Sequence, residues 1–147
     1  QWRRVHLVGL SVGGLLAVLA ARRTGAATIT TINAPVVVRD PTLYLRPTSR
    51  RISVVGEPTA VPLRTGLELL RVMARAHAAA PRLRRPALVV QGKAEGVVHP
   101  VSATLLAGRL GPHSRILWLP RAGHASFNPP DTARIVAAIL DEMRRAR

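Results

Sequence analysis

Val5 to Ala21 is a run of 17 residues with no formal charge, flanked by Arg3-Arg4 and Arg22-Arg23. A run of that length between cations folds either as one apolar helix, in a membrane or a signal segment, or as two short elements joined by a turn. Its centre favours the second. Gly9, Gly13 and Gly14 cluster there around Ser11, with His6 upstream. Glycine inside a helix costs about 1 kcal/mol relative to alanine, whereas a tight strand-to-helix turn needs it. The expected order is a buried strand over Val5–Val8, a turn over Gly9–Gly13, and an Ala/Leu-rich helix over Gly14–Arg23 closed by Thr24-Gly25.

The same alternation continues downstream. Ala27–Asn33 is β-branched and reads as a second strand. Pro35, Pro41, Pro47, Pro58 and Pro62 then break the chain up, before a helix over Leu67–Ala80. Ala87–Gln91 and Ile116–Leu119 read as strands and Pro100–Arg109 as a helix. Asp131 is expected to cap a last helix through Met143, whose Ile135, Val136, Ile139, Leu140 and Met143 keep helical spacing. The expected fold is therefore α/β, a mostly parallel sheet with right-handed crossovers and helices on both faces. The 147 residues make one domain or part of one, with 34–85 a short cap insertion between two strands of the same sheet.

Charge is the feature most open to misreading. Lys+Arg number 22 against seven Asp+Glu, a formal net charge of +15, which invites a nucleic-acid interpretation. Lys93 is however the sole lysine, and the arginines are spread along the whole chain, as GC-rich coding would leave them. Aromatics amount to 3%, too few for stacking platforms. No specific nucleic-acid partner is expected. Cysteine is absent, which removes disulfides, thiolate nucleophiles and Cys-based metal sites.

Gly9-Leu10-Ser11-Val12-Gly13 fits G-x-S-x-G, and its setting between an apolar strand and a small-residue helix is that of a nucleophile elbow. In such a turn Gly9 and Gly13 let strand and helix approach. The serine stands above the helix start, and the N–H of Val12 faces a developing oxyanion. The competing interpretation is a capping serine or a phosphate-binding turn, but neither G-x-G-x-x-G nor Gly-Lys-Ser/Thr follows.

A serine hydroxyl needs a base, and the base an orienting carboxylate. Of His6, His77, His99, His113 and His124, the last lies after the final strand between Gly123 and Ala125 and is the candidate base. His6 falls within the first strand, while His77 and His113 are expected to face solvent. Among the carboxylates, Asp131, Asp141 and Glu142 suit capping or a solvated helix face, and Asp40, Glu57 and Glu68 fall in the cap. Glu95 follows the third strand on the same sheet edge as the others, which makes it the candidate acid. The bland alternatives are an ordinary loop histidine and a turn glutamate paired with Lys93 or solvent.

With Ser11, Glu95 and His124 in that order, the chain resembles the α/β-hydrolase family, in its carboxylesterase and monoacylglycerol-lipase branch. The resemblance rests on Val5–Gly14, on Asn33-Ala34-Pro35 opening the cap, on Leu88–Val98 and on Gly123-His124. It implies that Ser11 is acylated by an ester, that His124 shuttles the proton, and that water releases the acid, with no metal or organic cofactor. It also implies an apolar acyl pocket from the cap, with Leu43, Tyr44, Leu45, Leu69, Leu70 and Met73 as candidates, each alternatively a core position.

Two departures stand out. The branch usually has Asp where Glu95 stands, one methylene shorter. Members also carry an N-terminal half, with further strands and a loop donating a second oxyanion-hole N–H, whereas this sequence opens on the strand before Ser11. The chain therefore reads as a C-terminal portion with N-terminal strands missing. Loss of one oxyanion donor costs roughly 10²–10³-fold in rate, so the isolated chain can be inactive.

The expectation is thus a serine hydrolase of carboxylic esters or acylglycerols, working through an acyl-enzyme. The alternative is a non-catalytic basic binding module, either a degenerate hydrolase fold or a nucleic-acid binder. No transmembrane anchor is expected; the sequence does not fix the compartment, with the cytoplasm the favoured expectation. The sequence leaves the oligomeric state open.

Overall fold

The structure is a computed structural model describing residues 4–40, 51–52, 59–60, 63–125 and 127–146. Its elements are β1 (His6–Leu10), α1 (Val12–Thr24), β2 (Thr28–Ile32), β3 (Arg51–Ile52), β4 (Thr59–Ala60), α2 (Leu63–Ala79), β5 (Ala87–Gly92), α3 (Val101–Leu110), β6 (Ser114–Leu119) and α4 (Pro129–Arg145). A single 3₁₀ turn, Ala80–Arg82, follows α2. The order β1-β2-β5-β6 forms a four-stranded sheet, parallel throughout. β3 and β4 pair antiparallel on their own.

The uncharged run resolves into strand, turn and helix, as its glycines require. Among the described residues, no helix is long and apolar enough to cross a membrane. Gly9 is where strand and helix touch: a Cβ there would lie 2.1 Å from the carbonyl oxygen of Gly13. The matching expectation for Gly13 is corrected, because a Cβ at Gly13 meets nothing within 4 Å. What is crowded at Gly13 is its backbone, and the second tight position of this turn is Gly14, whose Cβ would lie 3.0 Å from that of Ala34.

β5 shows how the core is divided. Ala87 and Val89 join Leu15, Val18, Ile29, Ala76, Ala80 and Leu106 on the face covered by α1, α2 and α3. Leu88 and Val90 point the other way, to Leu119, Ala122 and Ile135 beneath α4. This period-two split of an unbroken apolar strand is what a sheet covered on both faces demands. The segment between β2 and β5 joins two neighbouring parallel strands. Within it, Ala76 of α2 and Ala80 just after it are fully buried, α2 packing on α1 and the turn at Ala80 on α3.

Several boundaries differ from the sequence expectation for identifiable reasons. β6 begins at Ser114 rather than Ile116, because Arg115 turns out to have a partner: its Nε donates to Glu142 Oε2 at 2.5 Å and its Nη2 lies 2.8 Å from Asp141. Glu142 is consequently fully buried, correcting its placement on a capping or solvated face. The cap of α4 is also corrected. Asn128 is the N-cap and accepts from the Asp131 N–H at 2.8 Å, with Pro129 and Pro130 opening the helix. His77, expected to face solvent, is half-buried with its Nδ1 enclosed and unpartnered among the described residues. His6 bonds its Nδ1 to Thr28 Oγ1 at 2.8 Å, across the β1–β2 register.

Candidate active site

All four parallel strands end on the same edge of the sheet, and the loops leaving that edge carry the candidate residues. Ser11 follows β1 directly, Glu95 lies three residues past the end of β5, and His124 five past the end of β6. The structure brings the three together. His124 Nε2 and Ser11 Oγ are 2.9 Å apart, and His124 Nδ1 and Glu95 Oε2 are 2.7 Å apart.

Ser11 reaches this position through an unusual backbone. Its φ of 53° and ψ of −127° lie outside the regions favoured by side-chain-bearing residues. A conformation of this type costs roughly 1–3 kcal/mol and persists only where the surroundings fix it. Here the Ser11 N–H donates to the Ile32 carbonyl at 2.7 Å, and the Ser11 carbonyl accepts from Gly14 N–H at 2.9 Å. Val12 is the first residue of α1, so its N–H belongs to the positive end of the helix dipole.

Glu95 is buried to 1% exposure and is fastened by both oxygens. Oε1 accepts from the N–H groups of Val97 at 2.6 Å and Val98 at 3.1 Å, while Oε2 faces the imidazole. Burial pushes against its ionised form, but the bond from His124, the two backbone N–H groups and the nearby imidazole charge outweigh it. The carboxyl is therefore held below its usual range. An ionised carboxylate can only accept, so the imidazole proton sits on Nδ1, leaving Nε2 free to accept from the Ser11 hydroxyl. That is the tautomer in which the imidazole can take a proton from serine.

The Glu95 loop is braced from the segment after β2. Val38 and Val98 form an antiparallel bridge, Arg39 N–H donates to the Val97 carbonyl at 2.9 Å, and Arg39 Nε donates to the Glu95 carbonyl at 2.7 Å. Ser102 Oγ in turn accepts from Val37 N–H at 2.9 Å and donates to the Val37 carbonyl at 3.0 Å. These contacts tie the loop carrying Glu95, and the helix that follows it, to residues 37–39.

The pocket candidates fare unevenly. Leu43, Tyr44 and Leu45 lie outside the described residues. Met73 packs against the core beside α1 and Leu69 is half-buried, both on α2, where Leu70 is exposed. Among the described residues, no cluster of three or more His, Asp or Glu side chains is placed to hold a metal ion.

Two residues that shape the site are not marked out by the sequence. Asn33, singled out only for opening the segment after β2, is fully buried, has φ 47°, and bonds to the loop carrying His124. Gly92 was missed as well. A Cβ there would lie 2.3 Å from the Ala122 carbonyl oxygen, so only glycine lets that loop settle onto the end of β5. The available signal was an asparagine, tolerant of the left-handed region, standing directly after a β-branched strand.

Comparison with known proteins adds an independent line. The family model described as serine aminopeptidase S33, a hydrolase family, matches residues 54–131, a stretch that includes Glu95 and His124. Similar solved structures include a metagenome-derived lipolytic enzyme from work on LipS and LipT, with TM-score 0.77 and 24% identity over 96% of this chain. The esterase domain of a Rhodothermus marinus protein gives 0.75 and 23% over 96%. A monoacylglycerol lipase from Paleococcus ferrophilus gives 0.73 and 17%, over 98% of this chain and 69% of its own. The chain spans 65% and 61% of the lengths of the first two. At these identities the likeness is one of fold. No curated protein sequence matches the chain.

Proposed function

The chain belongs to the α/β-hydrolase family described as serine aminopeptidase S33, and on that premise we propose that it hydrolyses carboxylic esters through a Ser11–His124–Glu95 triad. The observation that carries the reading is the unbroken relay from Glu95 Oε2 to His124 Nδ1 and from His124 Nε2 to Ser11 Oγ, at 2.7 and 2.9 Å.

In the first half-reaction, Ser11 Oγ attacks the ester carbonyl carbon while its proton passes to His124 Nε2. Glu95 stabilises the imidazolium that forms without taking its proton. The tetrahedral oxyanion lies at the N-terminus of α1, where the Val12 N–H is the proposed donor. Collapse breaks the ester C–O bond, and His124 returns the proton to the departing alcohol. In the second half-reaction His124 takes a proton from water, which attacks the acyl-Ser11 carbonyl. Collapse breaks the bond between the acyl carbon and Ser11 Oγ, His124 returns its proton to Oγ, and the carboxylic acid leaves with Ser11 regenerated.

Residues 34–85 are the proposed cap over this site. Leu43, Tyr44, Leu69 and Met73 are the proposed acyl-pocket residues, suited to the short or medium acyl chains of simple esters and acylglycerols. The lipolytic enzyme, esterase domain and monoacylglycerol lipase of similar fold support that substrate class. The family description favours a second reading, in which the same machinery cleaves an amide.

The test is turnover of a p-nitrophenyl acyl ester beside an aminoacyl p-nitroanilide, with wild type and Ser11→Ala. Ester turnover that falls by about 10³-fold or more in Ser11→Ala is the expected result. Anilide turnover alone would favour the second reading, and ester turnover indifferent to Ser11→Ala would defeat both.

A further inference from the structure

We infer that Asn33 is a positioning residue that fixes His124 by its backbone, as Glu95 fixes it by its ring. The inference rests on the reading of Ser11, His124 and Glu95 as a triad. Both polar atoms of the Asn33 side chain are engaged. Its Nδ2 donates to the Gly123 carbonyl at 2.9 Å and to the His124 carbonyl at 2.8 Å, while its Oδ1 accepts from the Gly92 N–H at 2.8 Å. Its own N–H donates to the Val90 carbonyl at 2.9 Å. One buried side chain therefore links the ends of β2 and β5 to the loop that follows β6.

Residue choice here is narrow. The position needs φ near 47°, which asparagine, aspartate and glycine tolerate better than other residues. It also needs two donors for two carbonyls and one acceptor for an N–H. Aspartate lacks the donors and glycine lacks everything, while glutamine is one methylene too long and less at ease at positive φ. Asparagine alone meets both demands.

The hold matters because the other hydrogen bonds of His124 among the described residues are those of its imidazole, to Glu95 and Ser11. A loop whose carbonyls lose their donors seeks new ones, and an imidazole displaced by about 1 Å from the Ser11 hydroxyl costs roughly 10²-fold in rate. The Ala122 carbonyl, already seated against Gly92, limits motion toward β5 but offers no bond to replace those lost.

The test compares wild type with Asn33→Gly, which keeps the backbone unstrained, and Asn33→Asp, which keeps the shape and the acceptor but not the donors. Two readouts are taken on protein whose amide spectrum shows it folded. One is kcat and KM on the p-nitrophenyl ester. The other is the low-field proton resonance of His124 Nδ1–H, assigned by its loss in His124→Ala. The expected result is kcat down on the order of 10²-fold with KM changed by less than about twofold, and an Nδ1 proton broadened by exchange with water. Folded variants with lowered melting temperature but wild-type kcat and an unchanged Nδ1 signal would overturn the inference. Should Asn33→Gly not fold, Asn33→Asp decides. Should Ser11→Ala keep full turnover, the triad reading fails, while the Nδ1 signal still reports whether Asn33 holds His124.

Discussion

Replacing Glu95 by glutamine exchanges one carboxylate oxygen for an NH₂, removes the charge and leaves the shape intact, yet the surroundings dictate a specific failure. The Val97 and Val98 N–H groups both point at Oε1. Two donors there require an acceptor, so the glutamine carbonyl oxygen must occupy that position and its NH₂ must face His124 Nδ1. That nitrogen can now only accept, which moves the imidazole proton to Nε2. At the 2.9 Å contact Nε2–H then donates to Ser11 Oγ, and with no free lone pair on Nε2 the base can no longer take the serine proton. A wrong tautomer with geometry intact costs about 10⁴ in kcat, or about 5.4 kcal/mol at 1.36 kcal/mol per decade. The assay is p-nitrophenyl ester turnover at saturating substrate, normalised to folded protein. A Glu95→Gln kcat within tenfold of wild type would refute the account of how Glu95 acts.

Three further outcomes follow from the same structure. Gly92→Ala forces a Cβ against the Ala122 carbonyl, and urea unfolding is expected to show a loss of about 1–3 kcal/mol. A change below about 0.5 kcal/mol, the scatter of surface substitutions, would contradict the close approach. Glu142→Ala removes the buried partner of Arg115 and is expected to cost about 1.5–3 kcal/mol in the same assay. Because the carboxyl of Glu95 is held below its ordinary value when folded, the stability it contributes is fully present above the unfolded value of about 4.3 and is lost as pH falls through the folded value. Urea midpoints followed through that acid range should therefore decline more steeply for wild type than for Glu95→Gln, and parallel curves would contradict the assignment.

The parts of the site legible in the sequence are those encoded within a few adjacent residues. An apolar run, Ser11 between glycines and a small-residue helix mark a strand, a turn and a helix locally, while the strained backbone at Ser11 is held by the Ile32 carbonyl of β2. Residues Glu95 and His124 were legible because each follows a strand end within one short loop. What escaped depends on distant partners. Asn33 acts through carbonyls some ninety residues downstream, and nothing local marks it beyond a tolerance for positive φ. Glu142 looked like a surface residue of an amphipathic helix until Arg115, on a strand, met it in space. The misplaced cap of α4 has a local cause: Asn128 and Asp131 both suit an N-cap, and the two prolines between them decide for Asn128. Gly13 and Gly14 are adjacent, and only the direction of the helix face distinguishes which one meets Ala34.

The most direct check on the central claim is covalent. Wild-type protein treated with a fluorophosphonate and mapped by mass spectrometry should carry one adduct, on Ser11 within the tryptic peptide Val5–Arg22, and His124→Ala should slow its formation by orders of magnitude. An adduct on another residue, or labelling of Ser11 at the same rate with and without the imidazole, would contradict it.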